Sequence, residues 1–172
     1  MTGARSVREE DHLPMHEALQ YAPRRPDPLG FRAVPITQAL DHAEIALVRT
    51  INTERARRGL RVLRPSRKLS RSADRHTRDM LRRGRLDHFS WDGTSFPSRL
   101  LAVVSWSRLG EVLAWTAHRP RSRTVVKMWL RSPPHRAQIL NPSYRRVGVA
   151  RRRGAMQGRS GYAFTVDLAS HR

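Results

Sequence analysis

The chain contains no cysteine. Disulfide stapling and thiolate chemistry are therefore excluded, although a domain of this size folds without bridges and the absence fixes no compartment. Long apolar runs are also missing. The longest, Leu100 to Val104, ends at Ser105 and falls far short of a membrane span. Lysine is almost absent: Lys68 and Lys127 are the only two among 34 basic residues, against 14 acidic ones. The remaining basic residues are all arginine, and the net charge is +20. A charge of this size predicts attraction to anionic surfaces, but it speaks to association and not to fold. The arginine skew is also what a composition bias produces, with short clusters at 24–25, 57–58, 82–83 and 151–153. Three catalytic signatures are absent: a Gly-x-Ser-x-Gly elbow, a His-Glu-x-x-His helix and a glycine-rich phosphate loop.

Residues 1–36 read as a proline-rich, largely irregular extension. Prolines at 14, 23, 26, 28 and 35 leave room for no more than a short helix around 14–21. The segment has no apolar core and carries Glu9, Glu10 and Asp11, so it is not a recognisable secretory signal. A domain is expected over 37–172. Asp41 with Glu44 is a capping box opening a helix whose stripe is Leu40, Ala43, Leu47, Val48 and Ile51, stopped near Gly59. A second helix follows Pro65, with Leu69, Ala73, His76 and Met80 inward and Gly84 at its end. The stretch from Asp87 to Pro97 reads as a loop around Asp92-Gly93.

A short strand is expected over 108–115, then a helix from Ser122 or Thr124 to Arg131. Pro133 and Pro134 suit the first turn of a further short helix that closes at Asn141-Pro142. Val147 and Val149 share one strand face, and Tyr162, Phe164, Val166 and Leu168 share another. The arginine- and glycine-rich stretch 151–161 is expected to be the hairpin loop between them. Helices first and antiparallel strands last indicate an α+β domain.

Three residues carry chemical interest. His135 follows two prolines at a helix start, and His88 lies in the loop after the second helix. Glu111 sits in the apolar segment Gly110 to Trp115, where a carboxylate is costly without a partner. Two imidazoles and a carboxylate are the raw material of a metal or acid/base site. His76 shares a helix face with apolar residues and reads as a core histidine. His42, His118 and His171 have no convergent context. Ser90, Ser95 and Ser132 are hydroxyls close to these histidines in sequence. The tryptophans at 91, 106, 115 and 129 read as core or loop anchors.

In order along the chain come Leu47-Val48 with Ile51-Asn52 and Glu54-Arg55, Gly59-Leu60, Arg78-Asp79-Met80, His88 and Gly110-Glu111. Trp129, Ser132, His135-Arg136, Ile139 to Pro142 and Val147 to Val149 follow. From about Asp41 to Ala169 this series resembles the CAP, or SCP-like, superfamily, most closely its short cysteine-free bacterial branch. The resemblance implies an α-β-α sandwich around an antiparallel sheet and a cleft joining His88, His135 and Glu111. It also implies a divalent cation, zinc among the candidates, held by the two histidines, or a lipid ligand such as a sterol or fatty acid. The family is mostly extracellular. Two departures stand out: the run 127–132 offers no second glutamate, and the usual Gly-Glu-Asn is Gly110-Glu111-Val112. The expectation is a non-enzymatic binding domain for a lipidic or cell-envelope ligand, with a metal-capable cleft. The alternatives are a metal-dependent hydrolase using Glu111 as general base, and a basic nucleic-acid-associated protein.

Overall fold

The structure, a computed structural model, describes residues 40–105 and 108–170. The extension at 1–36, His171 and Trp106 lie outside these residues. The element order is α1 (His42–Ala56), β1 (Arg64–Pro65), α2 (Arg67–Arg83), α3 (Phe96–Leu101), β2 (Arg108–Thr116), α4 (Ser122–Arg131), α5 (Pro133–Ile139), β3 (Arg146–Met156) and β4 (Arg159–Ser170). The strands form one sheet in the order β1-β3-β4-β2.

Local chemistry starts and stops the helices. Asp41 accepts from the Glu44 amide at 2.7 Å, and Glu44 accepts in return from the Asp41 amide at 2.9 Å, so both orphan donors are satisfied. Ser66 caps α2, and Gly84, at φ 63°, ends it in the left-handed region.

The sheet is covered on both faces. Val112, Ala114, Val147, Val149, Phe164, Val166 and Leu168 point one way, into a core with Leu47 and Ile51 of α1, Val125 and Trp129 of α4, and Ile139 of α5. The alternate residues face α2 and α3, where Leu69, Leu100 and Ala169 form one cluster and Met80, Leu113 and Met156 another. The result is the expected three-layer sandwich. The sheet is not purely antiparallel, because β1 joins β3 in parallel through two residue pairs.

Helix α2 comes very close to the sheet. A β-carbon on Gly148 would lie 2.2 Å from the Leu69 carbonyl carbon and 2.3 Å from the Ser70 nitrogen. Only glycine lets the two backbones meet there.

Two sequence expectations need correction. The stretch 151–161 is not a loop: β3 runs to Met156, β4 begins at Arg159, and the turn is Gln157-Gly158, both at positive φ (49° and 73°), as a two-residue hairpin requires. Its arginines are strand residues, and two of them have partners. Arg152 reaches Glu44 of α1 at 2.7 Å and Asp74 of α2 at 2.6 Å, tying two layers together around the sheet edge. Arg151 lies over the Tyr162 ring at 5.2 Å. The stretch 87–97 is likewise not all loop, because Ser95 caps α3 and Pro97 occupies its first turn. Among the described residues no helix is long and apolar enough to cross a membrane.

Gly148→Ala is expected to lower stability by about 2–3 kcal/mol through overpacking. Urea unfolding measures this, and an unchanged midpoint would show that α2 can lift off the sheet.

Candidate functional site

Strand β2 is a sheet edge, and two of its outward carbonyls are taken by side chains. Trp129 Nε1 donates to the Leu113 carbonyl at 2.8 Å, and the Tyr144 hydroxyl donates to that of Leu109 at 2.9 Å. The α4–α5 segment is thus held along β2. Arg55, fully buried, fixes the far end of α5. It donates to the carbonyls of Ile139 (2.7 Å), Asn141 (3.0 Å) and Arg61 (3.0 Å), closing orphan acceptors at the helix C-terminus. This positions His135, half-buried in the first turn of α5.

Glu111 projects from β2 on the opposite side, towards α2, and its side chain has no solvent exposure. One oxygen accepts from Arg99 of α3. The other lies 2.8 Å from His88 Nδ1 and 3.9 Å from His76 Nε2. Burial pushes this carboxyl up, but the His88 hydrogen bond and the Arg99 charge outweigh it, and the group stands below the ordinary range. Arg99 also reaches Ser90 Oγ at 3.3 Å, which ties the loop to the same charge.

The acceptors decide the tautomers. His76 Nε2 is 2.7 Å from the Asp87 carbonyl, so it carries the proton. Its Nδ1 is buried without a partner. His88 directs Nδ1 at a carboxylate, so in the neutral ring Nε2 holds the free lone pair. Burial, then the neighbouring His88, holds the His135 pKa below the usual histidine value, so its ring is neutral at neutral pH. The structure therefore brings His88 and Glu111 into direct contact and makes His135 an electrostatic neighbour of His88.

Sequence reasoning missed three members of this cluster. Arg99 carries the counter-charge; the Ser95-x-x-Ser98 pattern with Pro97 marks its helix. His76, read as core, is buried as expected, yet it also faces Glu111. Asp167 stands directly opposite Glu111 across the β2–β4 ladder. Its oxygens have no partner in hydrogen-bonding geometry, although they lie against the Glu111 carboxylate and the Ser72 hydroxyl. Burial, then the Glu111 charge, raises its pKa well above the aspartate range. Two buried carboxyls so close share one negative charge, and Asp167 keeps the proton.

Other candidates stand apart. Ser95 caps α3 and Ser90 accepts from Arg99. Among the described residues neither these hydroxyls nor Ser132 is hydrogen-bonded to a histidine. No carboxylate lies on α4, and no group of three or more His, Cys, Asp or Glu is placed to hold a metal ion among the described residues.

Helices on both faces of a small sheet, with an imidazole–carboxylate pair at its edge strand, define a CAP-type domain. The profile of the CAP family, described as the cysteine-rich secretory protein family, matches residues 48–168; the chain belongs to that family. It is 35% identical over 107 residues to the uncharacterized protein YkwD of Bacillus subtilis strain 168. That match takes in 62% of this chain and 41% of the relative, so the chain spans about two fifths of that protein's length. The fold is similar to an outer surface protein of Borrelia burgdorferi, with a TM-score of 0.63 at 21% identity, covering 73% of this chain and 90% of that one. It is also similar to an extracellular protein containing an SCP domain from Bacillus anthracis, with a TM-score of 0.60 at 22% identity, covering 76% and 40% of the two chains.

Asp167 yields a pH prediction. The native state keeps its proton where the unfolded chain has released it, so stability falls as pH rises from the ordinary value of about 3.9 towards the raised native one. Asp167→Asn is expected to stabilise the protein, little near pH 4 and increasingly towards neutrality. Urea unfolding across that range measures the difference, and a gain independent of pH would contradict a retained proton.

Proposed function

We propose that this domain is a non-enzymatic binding module whose cleft, formed by His88 and His135, takes up an exchangeable divalent cation, zinc being the best chemical match. The observation that carries this reading is the Glu111–His88 contact. A carboxylate on Nδ1 fixes the ring and leaves Nε2 as the ligand atom, which is how ligating histidines are oriented. His135, neutral and adjacent, supplies the second imidazole. Two nitrogen ligands leave the remaining positions to water or to an exogenous group, so the ion would bind weakly and present open coordination to a ligand. A bound ion would act there as a Lewis acid.

The state of Glu111 favours binding over hydrolysis. Both of its oxygens are engaged by cations or hydrogen bonds, and its pKa is depressed, which makes it a poor general base at neutral pH. It orients His88. The family relationship supports a lipidic or cell-envelope ligand for the cleft, and the chemistry of that ligand follows from whatever completes the ion.

Calorimetric titration with zinc tests this reading. Saturable one-to-one binding is expected, lost in His88→Ala/His135→Ala and weakened about 10- to 100-fold in Glu111→Gln, as outer-shell changes weaken other metal sites. Absence of binding to the wild type would remove the metal. Turnover on a peptide or envelope-polymer panel that Glu111→Gln abolishes would replace binding with hydrolysis.

A further inference from the structure

We infer that the segment between Leu86 and Leu101, together with the arginine face of α2, docks this protein on an anionic lipid bilayer. Two observations carry this, and neither rests on a metal in the cleft.

The first is where exposed apolar side chains lie. Among the described residues, five large apolar side chains are exposed, and four fall within sixteen positions: Leu86 (42%), Phe89 (53%), Trp91 (74%) and Leu101 (55%). Single exposed apolar residues are ordinary, but a local concentration marks an interaction surface. Among the described residues no core cluster takes them in: α2 and α3 bury Leu69, Met80 and Leu100 instead.

The second is the arrangement of charge. Arg67, Arg71, Arg75, Arg78 and Arg82 recur at intervals of four, four, three and four. This spacing puts them on one helical face over roughly 22 Å, and all five are exposed. The two acids on this helix are already occupied: Asp74 pairs with Arg78 and Arg152, and Asp79 with Arg82 and Arg83. Arg67, Arg71 and Arg75 have no ion-pair partner among the described residues.

Trp91 and the basic face meet at one place. A cavity of about 450 Å³ between α2 and the loop is lined by four arginines, Arg75, Arg78, Arg82 and Arg99, against two acids, Asp79 and Asp92, with Trp91 beside them. One lining residue, Arg99, is at least nine-tenths buried and carries an unpartnered donor, its Nε. A phosphate-bearing headgroup answers the charge of this mouth, while Trp91 at its rim lies at the depth where tryptophan prefers the headgroup boundary. Basic charge and an inserted apolar group are the two signals that stable peripheral attachment needs. A soluble polyanion would use the arginines and leave the four apolar side chains without a role.

Flotation of the full chain with vesicles, in chelator so that the cleft holds no metal, tests the proposal. Binding is expected to phosphatidylcholine vesicles containing phosphatidylglycerol and not to phosphatidylcholine alone. Phe89→Ser/Trp91→Ser is expected to weaken partitioning about tenfold or more, and Arg75→Glu/Arg82→Glu to abolish it. All four positions are solvent-facing, and unchanged unfolding midpoints confirm that the variants fold. No binding to the anionic vesicles overturns the proposal. So does an apolar double variant that binds as tightly as wild type, especially if a single-stranded oligonucleotide competes equally with both: the partner is then a soluble polyanion. Loss of zinc binding in the cleft variants leaves this result untouched, so the two readings fail separately.

Discussion

Burying the Glu111 charge against α2 is the constraint from which the site is built. An ionised carboxylate in a packed interior is tolerated only when it is paired and hydrogen-bonded. Arg99 provides the pairing, which fixes α3 against β2. Arg99 also bonds Ser90, and His88 bonds Glu111, so the loop after α2 is drawn onto the same charge. Replacing that carboxylate would leave a buried guanidinium and two histidines without a common acceptor. The geometry of the loop is thus a consequence of one charge on an edge strand, and a neighbouring carboxyl must stay protonated for that charge to be bearable.

The placing of His135 depends on a different buried cation. Arg55 satisfies the carbonyls around the end of α5, and Trp129 and Tyr144 occupy two outward carbonyls of β2. His88 is therefore held from the α2–α3 side and His135 from the α1–α4–α5 side of the edge strand. A site divided between two layers in this way is only as rigid as the anchors on each side. Both anchors here are arginines with fixed, specific acceptors, which suits the guanidinium's several directional donors.

How much is legible in the sequence follows from the same physics. The capping box at Asp41, the Ser66 cap and the glycine stop at 84 act locally, so they can be read residue by residue. The apolar faces of β3 and β4 are legible because alternation has a period of two. The residues between them mislead. Ala163, Thr165 and Asp167 look like a solvent face, but α2 covers them, so the role of Asp167 is invisible in one dimension. The arginines at 151–153 look like a loop because nothing in the sequence shows that Glu44 and Asp74 will meet Arg152. Arg99 is hidden by the general abundance of arginine. Glu111 stands out as a lone charge among apolar neighbours, and the structure buries it and engages both its oxygens.

Composition bias accounts for the number of arginines but not for their placement. Arg55 and Arg99 are buried with specific acceptors, and Arg152 joins two helices around a strand. The five on the outer face of α2 do none of this, and three have no ion-pair partner among the described residues. An unselected arginine excess would fall as readily beside acids as away from them. On α2 the two nearby acids are already committed, which leaves a one-signed face bordering the exposed aromatic side chains of the next loop. Desolvating such a face is favourable only against a negatively charged surface. The exposed Trp91 and Phe89 gain only if that surface also offers somewhere apolar to go. A bilayer with anionic headgroups is the simplest partner that meets both demands at once.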